Sequence, residues 1–486
     1  MNFIRKHRLC RWIKRTVKFF VLFYLMYPLI TNAQALRFSN HREIQPPEYA
    51  TVRIGPFYSL VEFSQSAGYR YVTTHGTGTD FLFGTGRGVI KKDGSDFPLI
   101  SSLTFRNYMI LAENADIDLS VQIGYAKYPR DTQEDEFFIL LPEEGILGNI
   151  STEFAIGPFF RGTLYDNISY RTDFIDTRGM KDVYGGTAYE HLQNVAGTHM
   201  DWLLAKDMDA GLSFSREDVF VYQEQFEEQE HTTLSATFLL ERELLPSLTA
   251  GLQTGISFTD YRVQTRPDSH LIDYSIFAKY QPGTVARLTE RTSVSFGIGY
   301  SSGRTEELEN EDTDHKGEIT GYFDIQTALR KDLMHSLRVA RGLQQGFNTP
   351  FEKSDRIEYR LKWNDEITET LFYSSWNRIS LADPSFPDYT DWTTGLELVY
   401  RVYPGISLLV ISQYNIRNNE DGAMTTEPEL QNDYNTWITR AGTEVGLTRY
   451  LKFATSIQHI VRTSMASELE YTRDIFSAEL KYTRTF

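Results

Sequence analysis

The side chains best placed to do chemistry in this sequence stand at every second position. Glu358, Arg360 and Lys362 alternate with Ile357, Tyr359, Leu361 and Trp363. Glu397 and Arg401 oppose Leu396, Leu398, Tyr400 and Val402. Arg440 and Glu444 oppose Trp437, Ala441 and Val445, and Glu479 and Lys481 oppose Phe476, Ala478, Leu480 and Tyr482. A period of two is a β-strand with unlike faces. One such strand would suit a soluble sheet equally well. Repetition along the whole chain, without strands that are apolar on both faces, indicates a polar lumen inside a wall that faces lipid. We read these nine charged residues as lumen-facing.

Catalytic and metal signatures are missing. The sequence has no HExxH, GxSxG or CxxC motif. His191, His199, His231, His270, His315, His335 and His459 are scattered, and none stands at ligand spacing from a carboxylate cluster. His459 falls on the lipid-facing parity near a strand end, a place that suits the membrane interface. The acidic run 306–314 lacks the spacing of a calcium loop and reads as a solvated loop. Gly76, Gly78, Gly84, Gly86 and Gly88 do not lead from a strand into a helix, so they read as turns and not as a phosphate cradle. We expect no enzyme activity, no metal and no cofactor.

The N-terminus sets the compartment. Arg5, Lys6, Arg8, Arg11, Lys14, Arg15 and Lys18 precede an apolar run at 19–30, then Ala33-Gln34-Ala35. That order is a secretory signal peptide, residues 1–35, with cleavage expected after Ala35. Twelve apolar residues interrupted by Pro28 are too few to span a bilayer as a helix. The only cysteine, Cys10, lies in this segment, so the exported chain would hold no disulfide and no thiolate ligand. Loss of its seven cations takes the formal charge from -16 to -23. So acidic a chain does not bind nucleic acid by counterion release.

The elements that must position the lumen charges follow from the same alternation. Residues 36–50 read as a polar periplasmic extension and 51–486 as one barrel. Strands are expected at 51–63 and 67–74, and hairpins fold across Leu245-Pro246-Ser247, Pro404-Gly405 and Thr448-Arg449-Tyr450 with their apolar faces kept on one side. Long acidic segments at 223–231, 302–317, 381–392 and 418–434 alternate with these short turns. Short turns at one end and long loops at the other are the organisation of an outer-membrane barrel. Aromatic residues gather near strand ends: Tyr165 and Tyr170, Tyr400 and Tyr403, Trp437 and Tyr450. They suit two interfacial girdles. The expected fold is all-β, a transmembrane antiparallel up-and-down β-barrel of about 18 strands, within about 16–20.

The last strand, 475–486, ends on the apolar face. Leu480, Tyr482 and Phe486 match the terminal signal by which barrel-assembly machinery reads such chains, and the strand is expected to pair with 51–63 and seal the wall. Arg484 departs from that pattern. The chain resembles the beta-barrel porin 2 family in Ile54-Gly55-Pro56-Phe57, in Gly68 to Tyr71, in the segment FRGTLYDNISYRTDF from Phe160 and in SLRVARGLQQGF from Ser336. The resemblance implies an outer-membrane porin-like barrel accompanying exopolysaccharide synthesis and export, with polysaccharide or its export proteins as partners besides outer-membrane lipid. Two functions stay open: a channel or export component, and a closed barrel serving as surface adhesin, scaffold or assembly partner.

Overall fold

The computed structural model describes residues 52–76, 93–112, 115–130, 136–140, 148–157, 159–174, 188–221, 224–263, 267–281, 292–305, 315–344, 351–381, 388–419, 433–464 and 470–485. The expected signal peptide, the 36–50 extension, the 306–314 run and Phe486 lie outside the described residues.

Alternating sequence becomes one continuous antiparallel ladder. Strand Phe57–Gly76 pairs on one edge with Leu99–Ala112, from Phe57↔Met109 to Ala67↔Leu99. The pairing then runs through Ala115–Lys127, Gly148–Ile156, Phe160–Phe174 and Ala188–Ala205. Met208–Val221, His231–Leu245, Leu248–Tyr261, Ser269–Tyr280 and Thr292–Thr305 follow. Next come His315–Ala328, Leu333–Gln344, Glu352–Asn364, Thr368–Leu381 and Tyr389–Tyr403. Ile406–Asn419, Tyr434–Gly446, Leu451–Ser464 and Tyr471–Thr485 complete the series. The last of these pairs with the free edge of Phe57–Gly76, from Glu62↔Thr485 to Gly76↔Tyr471. The ladder therefore returns to its start, leaves no edge, and satisfies the backbone within the wall.

The ring has twenty strand positions among the described residues, two more than the central expectation and at the top of its range. Three further segments add no position. Gly94–Asp96 extends the neighbour of Phe57–Gly76 beyond Phe97-Pro98. Glu136–Leu140 shares an edge of Ala115–Lys127 with Gly148–Ile156. Val52–Ile54 folds back on Phe57–Ser59.

That last hairpin corrects the expected first strand. Gly55 has φ of 62°, in the left-handed region that glycine enters without a Cβ penalty, and Pro56 has no N–H to give a ladder. Ile54-Gly55-Pro56-Phe57 is thus a turn. Beyond it the chain runs without a break for 20 residues, so the expected strands 51–63 and 67–74 are one strand, Phe57–Gly76. The closing strand consequently meets Glu62–Gly76, not 51–63.

Loop sorting follows from the ladder. The strand ends that flank 222–230, 306–314, 382–388 and 420–433 all stand at one end of the barrel. Tight connections such as Ala205 to Met208, Leu245 to Leu248 and Tyr403 to Ile406 fall at the other. Tyr280 and Thr292, also at the short-turn end, are strand ends separated by a longer stretch of sequence. Several long connections share one device. An acidic residue just ahead of the returning strand accepts the backbone N–H at the end of the outgoing one: Tyr261 to Asp268 at 2.9 Å, Leu381 to Asp388 at 2.9 Å and Asn419 to Asp433 at 2.7 Å. Part of the chain's acidity is therefore used to pin loops.

The outer face is apolar and uncovered. Ile276, Phe296, Ile298, Ile319 and Ile457 are each more than half exposed. So much exposed aliphatic surface at alternate positions is a lipid-facing belt. Of the expected girdle, Tyr400, Tyr403 and Trp437 are exposed on it, whereas Tyr165 has the opposite parity to exposed Leu164 and lies inward against Gly197. The fold is that of an outer-membrane β-barrel, and the outer membrane is where such a surface is satisfied.

Candidate functional site

The inner wall is the candidate site. Cross-strand register puts all nine expected charges on the face opposite the apolar belt. Glu358 pairs with Ser375 while Ile357 pairs with Trp376. Arg401 pairs with Ser407 while Tyr400 pairs with Leu408. Arg440 pairs with Gln458 while Ala441 pairs with Ile457, and Glu479 pairs with Ala454 while Leu480 pairs with Phe453. Concavity is seen directly: Tyr373 reaches past one intervening strand to donate to Gln413 at 3.0 Å.

Several of the charges are organised into ion-pair chains. Glu358 sits between Arg356, at 2.7 Å, and Arg360. Glu369 lies 3.6 Å from Lys362 and 3.8 Å from Arg401. Glu444 pairs with Lys452 at 2.7 Å. The sequence alone does not mark Arg356, Glu369 and Lys452, because their partners stand two residues away or on the neighbouring strand. Their inward parity was the signal available. Glu397, Arg440, Glu479 and Lys481 form no ion pair among the described residues.

The opposite side of the lumen is acidic. Asp201, Asp209, Glu217, Glu241 and Asp273 face inward from adjacent or nearby strands between Ala188 and Tyr280. Lys279 is bound to Glu241 at 2.5 Å. The walls thus differ in sign: a carboxylate-rich arc stands across the ring from one rich in arginine and lysine. His199 donates to or accepts from Ser213 at 2.6 Å and meets Asp201 at 2.9 Å. The three groups resemble a nucleophile, base and orienting acid. They lie within paired strands whose backbone amides are engaged in the ladder, so no amide there is free to stabilise an oxyanion. We read them as a polar relay on the lumen wall. His459 takes the outer face, as its parity implies, and meets Asp474 at 2.6 Å.

Towards the long-loop end the base-rich arc becomes an arginine–tyrosine belt. Arg417 is 4% exposed and binds Asp391 at 2.6 and 2.7 Å. Its guanidinium carbon stands 4.4 Å from the Tyr389 ring centre and 5.3 Å from that of Tyr434. Arg462 covers the other approach to Tyr434 at 4.0 Å, and Arg473 stands 5.4 Å from Tyr471. Tyr389 and Tyr434 directly follow the loop-pinning Asp388 and Asp433, so pinned loop and stacked ring are consecutive residues. An acid–tyrosine pair ahead of an alternating segment was the sequence signal for this belt.

Of the expected assembly signal, Leu480 is exposed on the belt and the Tyr482 ring lies 6.3 Å from that of Tyr450. Arg484 pairs with Phe63 one position before the ladder ends and is exposed on the outer face. Among the described residues no cluster of three or more His, Asp or Glu converges as a metal site.

Together the closed ring, lipid-facing belt and charged concave wall define an outer-membrane barrel of porin-like architecture. No protein-family model matches the chain, and no curated protein matches it. Among solved structures it is similar to the FrpB iron transporter from Neisseria meningitidis (F5-1 variant, apoprotein form), with 9% identity, 87% of this chain and 81% of that chain covered, and a TM-score of 0.47. It is also similar to Pseudomonas aeruginosa OpdO, with 9% identity, 88% and 97% covered and a TM-score of 0.41. A third is OmpT of Vibrio cholerae, with 7% identity, 89% and 99% covered and a TM-score of 0.36. At that distance no property of those proteins transfers, and the barrel stands on its own pairing.

Proposed function

We propose that the chain is an outer-membrane channel for polar solutes, with no catalytic role. The observation that carries this reading is the closed twenty-position ring whose concave face bears paired charges of both signs. Barrels of about 16–18 strands already leave an aqueous channel. The finer proposal, carried by the resemblance to the beta-barrel porin 2 family, is service to an exopolysaccharide export system, with that glycan or its export proteins as partners. Single-channel recording of the purified full chain in planar bilayers tests the channel: discrete conductance supports it and a silent bilayer sinks it. Gene neighbours from polysaccharide synthesis would support the finer setting, and their replacement by unrelated genes would count against it.

One observation favours the second reading, a closed barrel acting as adhesin, scaffold or assembly partner. Arg70, Arg462 and Arg473 on the inner wall near the long-loop end are all nearly inaccessible. A lumen closed there would give no conductance while the barrel remained folded.

A further inference from the structure

The inner wall is interrupted by a cleft of about 170 Å³ beside the seam where the last strand meets the first. Its lining runs across consecutive strands of the ring, from Tyr434–Gly446 over the seam to the end of Ala115–Lys127. Arg440 and Gln458 approach from one side, Ser66, Arg70 and Glu479 flank the seam itself, and Tyr128 closes the far side. Only a concave wall brings these groups to one space.

The chemistry of the lining is specific. Arg70 is a built-in cation, 8% exposed and held beside Tyr128 and Asp96. Arg440 is exposed, and its side chain forms no hydrogen bond or ion pair among the described residues. The same is true of Gln458 and Glu479. Gly68 lines the floor, where the two strands of the seam approach closely. Arg70 already has Asp96 beside it, so Arg440 is the guanidinium open to a carboxylate, which it can grip with two parallel hydrogen bonds. A carboxylate alone would leave Gln458 and Glu479 unused. An amide and an acceptor carboxylate suit hydroxyl groups.

We propose that this cleft is a binding subsite for a small carboxylate that also carries hydroxyls, with Arg440 taking the carboxylate, and Gln458 and Glu479 taking the hydroxyls. The proposal deepens the channel reading by naming a solute class and rests on it only for access from the lumen. Binding and conduction are therefore measured separately.

The test is calorimetric titration of the detergent-solubilised full chain with D-glucuronate, D-glucose and acetate. It is repeated on Arg440→Gln and on Glu479→Gln, each first shown to fold by its heat-modifiable migration. The expected result is saturable glucuronate binding, weaker by about tenfold or more in Arg440→Gln, since loss of a charge-assisted bidentate contact is worth at least that factor. Glu479→Gln should weaken glucuronate and leave acetate unchanged. No saturable glucuronate binding, equal binding of glucose or acetate, or binding unchanged in Arg440→Gln would each overturn the proposal. Conductance without glucuronate binding leaves the channel standing and removes the subsite. Binding without conductance supports the subsite and removes the channel.

Discussion

Arg417 holds Asp391 by two parallel hydrogen bonds, 2.6 Å from Nε to Oδ1 and 2.7 Å from Nη2 to Oδ2. The guanidinium lies between two tyrosine rings and almost out of reach of water. Removing only the acid strands a buried cation. We expect Asp391→Ala to cost about 3–5 kcal/mol, and the double replacement Arg417→Met with Asp391→Ala to cost less than the single one. Thermal conversion of the folded, fast-migrating form on gels measures both. A single variant as stable as the parent would show that the pair is not what fixes this end of the wall.

Closure of the barrel depends on a close backbone approach. A Cβ on Gly68 would stand 2.7 Å from the Ala478 carbonyl oxygen, on the facing strand of the seam. Gly68→Ala should therefore destabilise the fold by about 1–3 kcal/mol, as overpacking does. Gly342 is the control, because a Cβ there meets nothing within 4 Å. Equal melting of Gly68→Ala and Gly342→Ala would show that the close approach at the seam does not limit stability.

Adjacent residues on one strand test which face meets lipid. Leu252 pairs outward with Leu240 and Gln253 pairs inward with Leu239. An arginine on the lipid face of a barrel costs about 2–4 kcal/mol near the bilayer midplane. Leu252→Arg should lose that much in folding titrations into lipid vesicles, whereas Gln253→Arg should lose little. A reversed order would invert the barrel's faces.

Glu358 alone neutralises two arginines of the lumen wall, Arg356 and Arg360. Replacing it with glutamine adds one net positive charge where permeating ions pass. Under a potassium chloride gradient, the reversal potential of Glu358→Gln should move towards the chloride equilibrium potential. An unmoved potential would place this ion-pair chain outside the conducting path.

Much of the architecture was legible because a half-buried strand writes its period into the sequence. The 357–363 segment shows both faces plainly, and so do the hairpins at Leu245–Leu248 and Tyr403–Ile406. The first strand was misread because the alternation of 57–76 is weakened by Ser64, Ser66 and Gly68, small residues that face inward, while Gly55-Pro56 looked like strand interior. Inward placement of the nine charges could be read from parity. Their partners could not, since Glu369 and Lys452 are found only once register is set. The difference in sign between the walls was invisible for a further reason: which strands face each other depends on the size of the ring. The cleft shares that limit, because it joins Tyr128 to Arg440 across the seam.

The central claim is that strand Tyr471–Thr485 closes the ring on strand Phe57–Gly76. The register sets Ser66 opposite Lys481 on the inner face, within reach of a disulfide. In a Cys10→Ser background, Ser66→Cys combined with Lys481→Cys should cross-link on oxidation of the folded barrel. The slipped pair, Ser66→Cys with Ile475→Cys, should not. Cross-linking of the first pair alone is the predicted result; no cross-link in it, or equal cross-linking of both, would contradict a barrel sealed at this seam.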